Sequence, residues 1–196
     1  MSSTNSASVE GRLDTAEGSC ALTYAPLNTE EIVASVADDA AGATAVFIGT
    51  TRNSFRGMYA STQLGWHAVH SRQSPWLPRP GKVVTKLEYQ AYTKLALKTM
   101  ADIIHSAHQS VKRSSHHPAG QSVPSLLRCT IHHRLGRVPV GQPSIVIAVS
   151  SPHRREAFAA CELLLEEVKE KAQIWKREYY EGEREEEATW KSNNAP

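Results

Sequence analysis

The sequence predicts an α+β fold in which helices pack on a mixed or antiparallel sheet. Two observations predict it. Stretches with strand character follow one another in pairs instead of alternating strictly with helices, which favours this class over a doubly wound parallel sheet. Two long segments also carry apolar residues at helical spacing. With 196 residues, 40% of them hydrophobic, the chain is long enough to form one domain with a buried core.

The first part of the chain predicts a tail, a short helix and a strand. Residues 1–27 begin with a stretch rich in Ser, Thr, Gly and Ala without an apolar period, so a flexible N-terminal tail is expected there. Asn28 is a suitable helix cap, because acidic residues follow it in the first turn. The apolar, β-branched run 43–49 predicts a buried strand that ends in glycine. We expect the main domain to span residues 28–180.

Irregular segments interrupt and end this domain. Residues 58–81 contain two tryptophans, three prolines and two histidines without a helix or strand period, which predicts an irregular insertion. Residues 110–124 are rich in Ser, His and Pro and predict a loop, and residues 181–196 predict an acidic C-terminal tail. Between these segments, the apolar pattern predicts strands at 83–89, 126–133 and 144–150, helices at 92–109 and 153–171, and a turn-rich connection at 136–143.

Charge is distributed unevenly along the chain. The net charge is only +2, but residues 50–137 contain 13 Lys and Arg residues against Glu88 and Asp102. This basic block is expected to attract an anion, such as a phosphate, a nucleic acid or an acidic partner. A solvated basic face explains the same composition without any ligand.

Composition also indicates the compartment. Three cysteines without a CxxC spacing argue against a disulfide framework and fit a reducing environment. The longest apolar runs are far shorter than the ~20 residues that cross a bilayer, and the N-terminus lacks the pattern of a secretory signal. We therefore expect a cytoplasmic protein that does not contact a membrane.

Familiar nucleotide, hydrolase and metalloprotease motifs are absent from the sequence. His105 and His108 have a spacing that suits metal ligation on a helix, and His116 with His117 follows nearby. No carboxylate or cysteine partner is evident from the sequence, so exposed polar histidines are favoured over a metal site. No metal is expected.

Three separate segments carry residues suited to binding an anion. Arg52 follows the end of a predicted strand, where its forked guanidinium can hold a phosphate or carboxylate. His153 and Arg154 lie between a predicted strand and a long helix, where backbone N–H groups also attract anions. Lys169 and Lys176 are seven residues apart, so on a continuing helix both ammonium groups would point the same way.

A lysine near other cations in a partly apolar pocket can lose its proton near neutral pH and act as a nucleophile or base. Trp175 is a candidate for the apolar wall, and Arg52 and Arg154 for the neighbouring charges. These residues predict an anion-binding enzyme. Surface lysines and a capped helix start with an exposed arginine are the alternative explanation.

The same segments carry a family resemblance. FIGTTRN, LEYQAY and the run IHHRLGRVPVGQPSIVIAVSSPHRREAFAACELLLEEVKEKAQIWKRE, with the later Trp190, resemble the large, catalytic subunit of molybdopterin synthase. The match covers residues 42–56 and 82–178. The patterns HRxGxxxxG, SxHRxxAF and Kx6KRE are specific when they occur together in this order.

The resemblance implies a sulfurtransferase of molybdenum-cofactor biosynthesis with a fold of the α/β-hammerhead kind. Its substrate would be cyclic pyranopterin monophosphate, and its product the dithiolene of molybdopterin. The sulfur donor would be the thiocarboxylated C-terminus of a small ubiquitin-like subunit. Two large subunits, paired as a homodimer, and two small subunits would form a heterotetramer. No cofactor and no nucleic acid are implied.

The resemblance also assigns site residues in this chain. Lys169 and Lys176 match the two catalytic lysines of the pocket, which also bind substrate. Five further residues match substrate-binding positions: Arg52, His153, Arg154, Arg177 and Glu178. Cationic, forked donors suit a cyclic phosphate, and two lysines suit proton transfer and developing negative charge.

The sequence departs from the family in two places. Relatives often have proline just before the Ile-Trp-Lys unit, where this chain has Gln173, so the helix is expected to run straight on toward Lys176. Relatives also lack the 58–81 segment or keep it short. Joining Gly57 to Lys82 gives continuous family sequence, so this segment is either a retained intron in the gene or a true insertion.

Two other functions stay open at the level of sequence. A nucleic-acid-binding module would use the basic block 50–137, but it needs aromatic residues among the basic ones, and these are scarce there. An inactive scaffold would bind the small subunit without chemistry. The presence of Arg52, both lysines and the His153–Arg154 pair disfavours the scaffold.

Overall fold

The structure, a computed structural model, describes residues 8–55, 82–111 and 124–193. The predicted insertion 58–81 lies outside the described residues, and so does most of the predicted loop 110–124, including His116 and His117. The side chain of Phe55 is also outside them.

Two sheets and three α-helices make up the described part. The strands are β1 Gly11–Thr15, β2 Gly18–Thr23, β3 Ala43–Thr50, β4 Ser54–Phe55, β5 Lys82–Ala91, β6 Arg128–Arg134, β7 Gly136–Pro139, β8 Pro143–Ser151, β9 Ile174–Tyr180 and β10 Lys191–Ser192. The helices are α1 Thr29–Ala34, α2 Thr93–Ser110 and α3 Arg154–Lys171, and a single 3-10 turn spans Glu185–Glu187.

The first sheet has the strand order β1-β2-β6-β8-β3 and contains both parallel and antiparallel pairs. α2 and α3 pack together against one face of it, where alternate residues of β8, such as Ile147 and Val149, are fully buried. On the other face, Val146 packs with Leu27 and with Ile32 of α1. The predicted mixed sheet with helices packed on it is therefore confirmed.

The second sheet is organised around the long strand β5. Its order is β10-β9-β5-β4, and β7 also pairs with β5. β9 runs antiparallel to β5, so Tyr89 lies opposite Lys176 and Leu87 opposite Glu178. Because side chains alternate between the faces of a strand, these four residues share one face.

The N-terminal segment is not the tail that composition predicted. β1 and β2 form an antiparallel hairpin, and β2 adds to the first sheet as a parallel neighbour of β6. Cys20 and Leu22 of β2 are only 1% exposed. The apolar run of β2 is three residues long, so its burial is decided by pairing with a strand more than a hundred residues later.

The C-terminal segment is also held in place where it is described. Glu185 makes ion pairs with Lys86 and Arg137, and β10 pairs with β9. The predicted turn-rich connection contains a true strand, β7, whose residues pair with β5. β5, which pairs with β7 and carries Lys86, is distant in sequence from both segments, so local composition did not reveal these contacts.

The predicted helices and longer strands are confirmed within a few residues, and Asn28 accepts a hydrogen bond from Glu31 N–H as the cap of α1. The expected burial of β3 is correct for one face only. Val46 and Ile48 are 40% and 45% exposed, because β3 is an edge strand and its second face is only partly covered. None of the described helices has the length and apolarity needed to cross a bilayer.

Candidate functional site

An open cavity of about 540 Å³ lies where the end of β3 meets β5, β9 and the C-terminal end of α3. A volume of this size suits a small ligand. Its lining combines apolar, cationic and acidic side chains, contributed by Phe47, Ile48, Gly49, Thr50, Arg52, Ser54, Val84, Leu87, Tyr89, Lys169, Lys176, Glu178 and Asn193.

Arg52 reaches the cavity from the segment that follows β3. The preceding residue, Thr51, is 2% exposed and is tied to the β7–β8 turn by two backbone hydrogen bonds. Thr51 N–H donates to the carbonyl of Gln142 at 3.1 Å, and Gly141 N–H donates to the carbonyl of Thr51 at 2.9 Å. The backbone beside Arg52 is therefore fixed, while its side chain stays exposed to a ligand.

Lys169 belongs to the last turn of α3. The buried face of this helix, which includes Leu164 and Val168, anchors it on the core. The side chain of Lys169 is 46% exposed, and its Nζ lies 3.8 Å from Glu166 Oε1. A solvated pair at this distance leaves the ammonium group available to a ligand, because exposed ion pairs contribute little stability.

Lys176 and Glu178 lie two residues apart on β9 and therefore face the cavity together. Lys176 Nζ is 3.4 Å from Glu178 Oε1, and the two side chains are only 19% and 8% exposed. The hydroxyl of Tyr180 donates to the other carboxylate oxygen of Glu178. Lys176 is thus held by a buried carboxylate that is itself held by a hydrogen bond.

The prediction that one helix carries both lysines is wrong. α3 ends at Lys171, Ala172 has extended backbone angles, and β9 begins at Ile174. Backbone pairing of β9 with β5 ends the helical run, and the β-branched and aromatic residues of IWKREYY favour a strand. The two lysines still line one cavity, but from a helix end and from a strand.

Arg177 and Trp175 lie on the opposite face of β9, away from the cavity. Arg177 Nε donates to Glu88 Oε2 at 2.8 Å, and the guanidinium lies over the ring of Trp190 at 4.7 Å. The structure therefore does not bring Arg177 to the cavity. The expected apolar wall is also not Trp175, since Phe47, Val84 and Leu87 form it.

His153 and Arg154 begin α3 and are both exposed. Lys169 is fifteen residues further along the helix, which at ~1.5 Å per residue places it roughly 22 Å away. Within one chain, neither residue lines the cavity. Of the predicted site residues, the structure brings together Arg52, Lys169, Lys176 and Glu178.

Tyr89 and Asn193 line the cavity and had no role in the sequence prediction. The ring of Tyr89 packs edge-on against His133 at 4.7 Å, and burial raises the pKa of its phenol, so the hydroxyl stays protonated at neutral pH. Because side chains alternate between the two faces of a strand, the sequence could have placed Tyr89 on the same face as Leu87. Asn193 reaches the cavity only because β10 pairs with β9.

The cysteines are unsuited to act as sulfur nucleophiles. Cys20, Cys129 and Cys161 are free and buried. Burial raises the pKa of the Cys20 and Cys129 thiols to about 12 and that of Cys161 to about 11. All three therefore stay protonated at neutral pH, and the thiolate is the reactive form.

His105 has a carboxylate partner that the sequence did not reveal. Its Nδ1 lies 3.0 Å from both oxygens of Glu17 in the β1–β2 turn. Among the residues that the structure describes, no group of three or more His, Cys, Asp and Glu side chains is arranged to hold a metal ion.

Comparisons with known proteins identify the family of this chain. The model of the MoaE protein family matches residues 22–171. The molybdopterin synthase catalytic subunit of Nostoc sp. is 36% identical over 165 residues, which cover 84% of this chain and 78% of the relative. That of Aspergillus oryzae is 40% identical over 159 residues, covering 81% and 68%.

A solved structure of molybdopterin synthase from Staphylococcus aureus superimposes with a TM-score of 0.61 at 26% identity, over 87% of this chain and 94% of that one. The family match spans α1, α2, α3 and all of β3 to β8. It includes Arg52 and Lys169, and it ends before Lys176. This chain therefore belongs to the MoaE family, in which its relatives are molybdopterin synthase catalytic subunits.

Proposed function

We propose that this chain transfers sulfur to cyclic pyranopterin monophosphate and so forms the dithiolene of molybdopterin. The observation that carries the proposal is the convergence of Arg52, Lys169 and Lys176 on one cavity from three distant parts of the chain. Membership in the MoaE family supports the same reaction.

The cavity suits a phosphorylated pterin. Arg52 offers a forked donor for the phosphate, and the apolar wall of Phe47, Val84 and Leu87 suits the flat ring system. The protonated hydroxyl of Tyr89 supplies a neutral hydrogen-bond donor. Shape and charge therefore select an anionic, partly apolar small molecule.

The lysines suit the chemical steps. Attack of a thiocarboxylate sulfur on the pterin side chain needs a group that stabilises developing negative charge and a group that moves protons. Lys169 is half-exposed, whereas Lys176 is largely buried and paired with Glu178. The sulfur comes from the partner, in agreement with the protonated, buried state of all three cysteines.

A small ubiquitin-like subunit is the proposed sulfur donor. One chain of a solved complex of subunits 1 and 2 of molybdopterin-converting factor from Helicobacter pylori shares this fold, with a TM-score of 0.55 at 19% identity over 84% of this chain and 87% of that one. The cavity here is open to solvent, which suits entry of an extended tail with a thiocarboxylated end. We propose that the assembly works in the cytoplasm.

A second large subunit is proposed to complete each cavity. His153 and Arg154 lie roughly 22 Å from Lys169 along α3, so they reach a cavity only if it belongs to another chain. The half-exposed Val46 and Ile48 on edge strand β3 offer an apolar surface that a homodimer would cover. Two large and two small subunits then give the proposed heterotetramer.

The alternative of a nucleic-acid-binding module receives no support from the described surface. Basic residues do stack on aromatic rings there: Lys82 lies over Tyr180 and Lys86 over Tyr179. However, each of these lysines is paired with a glutamate. A platform for bases needs free cations and open rings, whereas these groups are already paired.

Reconstitution tests the proposal. The purified chain is mixed with a thiocarboxylated small subunit and cyclic pyranopterin monophosphate, and the dithiolene product is measured. We expect product only when all three components are present. Absence of product, in an assay where the Staphylococcus aureus enzyme is active, would refute the function. Tight, strongly salt-dependent binding of a polynucleotide would instead favour the nucleic-acid module.

A further inference from the structure

We propose that Gln173 is a positioning residue that sets the geometry between Lys169 and Lys176. The inference rests on the proposed function and deepens it. Ala172 and Gln173 connect α3 to β9, and Gln173 lies four positions after Lys169 and three before Lys176.

The backbone at Gln173 forms a very tight turn. Ala172 N–H still donates to the carbonyl of Val168, as in a helix, but the Ala172 backbone is extended, with φ −72° and ψ 137°. Ile174 N–H then donates to the carbonyl of Ala172 at 2.8 Å. A hydrogen bond across three residues defines a γ-turn centred on Gln173, and it converts the helix direction into the strand direction.

The side chain of Gln173 holds this turn from both sides. Its Nε2 donates to the carbonyl of Lys171 at 2.7 Å, which satisfies a carbonyl that the helix end leaves open. Its Oε1 accepts a hydrogen bond from Thr99 Oγ1 of α2 at 3.0 Å. The backbone carbonyl of Gln173 accepts a further bond from Tyr92 N–H at 3.1 Å.

These bonds connect the turn to α2, which is anchored in the core by buried residues such as Met100 and Ile104. α3 and β9 therefore leave Gln173 in fixed directions. Because both lysines line the same cavity, a change in the turn alters the separation of their ammonium groups. Misplacement of a reacting group by about 1 Å can cost roughly a hundred-fold in rate.

We expect proline to fit the same position. The common form of the γ-turn has a central φ near −75°, close to the value of about −65° that the proline ring imposes. The extended backbone of Ala172 suits a residue before proline. In the described part of the chain, the Gln173 N–H has no acceptor. The hydrogen bonds of Gln173 thus hold the turn in the geometry that a proline ring would also favour.

The test compares four variants in the reconstituted assay, with melting temperature measured for each. Gln173→Ala is expected to lower kcat about ten-fold or more, with little change in KM or in melting temperature. Thr99→Val, which removes one of the bonds, should give a smaller loss. Gln173→Pro should restore kcat to within about two-fold of the unchanged protein. Gln90→Ala, which removes an exposed glutamine of β5, is the matched control and should have no effect.

Two results would overturn the inference: an unchanged kcat in Gln173→Ala, or a Gln173→Pro variant that is misfolded or as slow as Gln173→Ala. Both presuppose that the unchanged protein forms product and that Lys169→Ala does not. If the unchanged protein forms no product, the proposed function fails instead, so the two failures are distinguishable.

Discussion

At the scale of single residues, the candidate site combines cations with different surroundings. Arg52 and Lys169 are solvated, whereas Lys176 is enclosed and paired with the buried Glu178. The ion pair with this buried carboxylate fixes the position of the Lys176 ammonium group. The cavity therefore contains one rigid cation and two that can adjust to a ligand.

Lys169→Ala tests the role of the adjustable lysine. We expect the variant to fold normally, because the side chain is 46% exposed and its ion pair is loose, but to lose dithiolene formation. Lys171→Ala is the matched control, since that exposed lysine lies two residues further along the same helix and pairs with Glu167 outside the cavity. Unchanged turnover in Lys169→Ala would remove this lysine from the mechanism.

His133 gives the fold a pH dependence. Burial lowers its pKa to about 4, so the folded protein keeps it neutral where the unfolded chain binds a proton. Above a pH of about 6.5 the histidine is neutral in both states and does not affect the free energy of unfolding. As the pH falls from there toward 4, protonation of the unfolded chain lowers the free energy of unfolding by about 3 kcal/mol.

We expect His133→Gln, whose amide can still donate to the carbonyl of Arg134 as His133 does, to flatten the free energy of unfolding between pH 4.5 and 6.5. Denaturant titration at several pH values measures this slope. Burial also lowers the pKa of His132 to about 4, so part of the slope should persist. An identical slope in both proteins would contradict the assignment.

At the scale of elements, the N-terminal hairpin contains one structural strand and one exposed strand. β2 lies inside the first sheet between β1 and β6. β1 lies at the edge, and most of its residues are exposed. Burial of apolar side chains stabilises a fold in proportion to the area removed from water, so β2 should contribute far more stability than β1.

Leu22→Ala and Leu13→Ala test this difference with the same chemical change. Leu22 is 1% exposed and belongs to the core cluster, so its truncation should lower the free energy of unfolding by about 2–5 kcal/mol. Leu13 is 36% exposed, so its truncation should lower the free energy of unfolding by less than about 1 kcal/mol. Equal losses in denaturant titrations would mean that β2 is not part of the folded core.

At the scale of the whole molecule, the cavity lies between two sheets, and the predicted ligands at the start of α3 lie far from it. Under the proposed dimer, one chain supplies Arg52, Lys169 and Lys176 to a cavity, and the second chain supplies His153 and Arg154. Such an arrangement makes each active site a property of the pair.

Mixing two inactive variants tests this arrangement. Lys169→Ala and Arg154→Ala chains are each expected to be inactive alone. After random reassociation, about half of the dimers are mixed, and each mixed dimer has one intact site, so about a quarter of the normal activity should return. Mixtures that stay inactive would show that each cavity uses residues of a single chain.

Local patterns in the sequence were sufficient for much of the fold. The 3.6-residue apolar period gave the limits of α2 and α3 within a few residues, and the β-branched runs located β3 and β8. The family resemblance carried by the sequence pointed to Arg52 and both lysines. Patterns of this kind are visible because they depend on neighbours in the chain.

Tertiary structure decided the features that depend on distant partners. β2 is buried because β6 pairs with it, and β9 is a strand because β5 pairs with it. That pairing also turns Arg177 away from the cavity while Lys176 and Glu178 face it. By itself, the sequence determined which residues can bind an anion and transfer protons. Only the tertiary structure decided which of them meet, because hydrogen bonds between strands and alternation along them set where each side chain points.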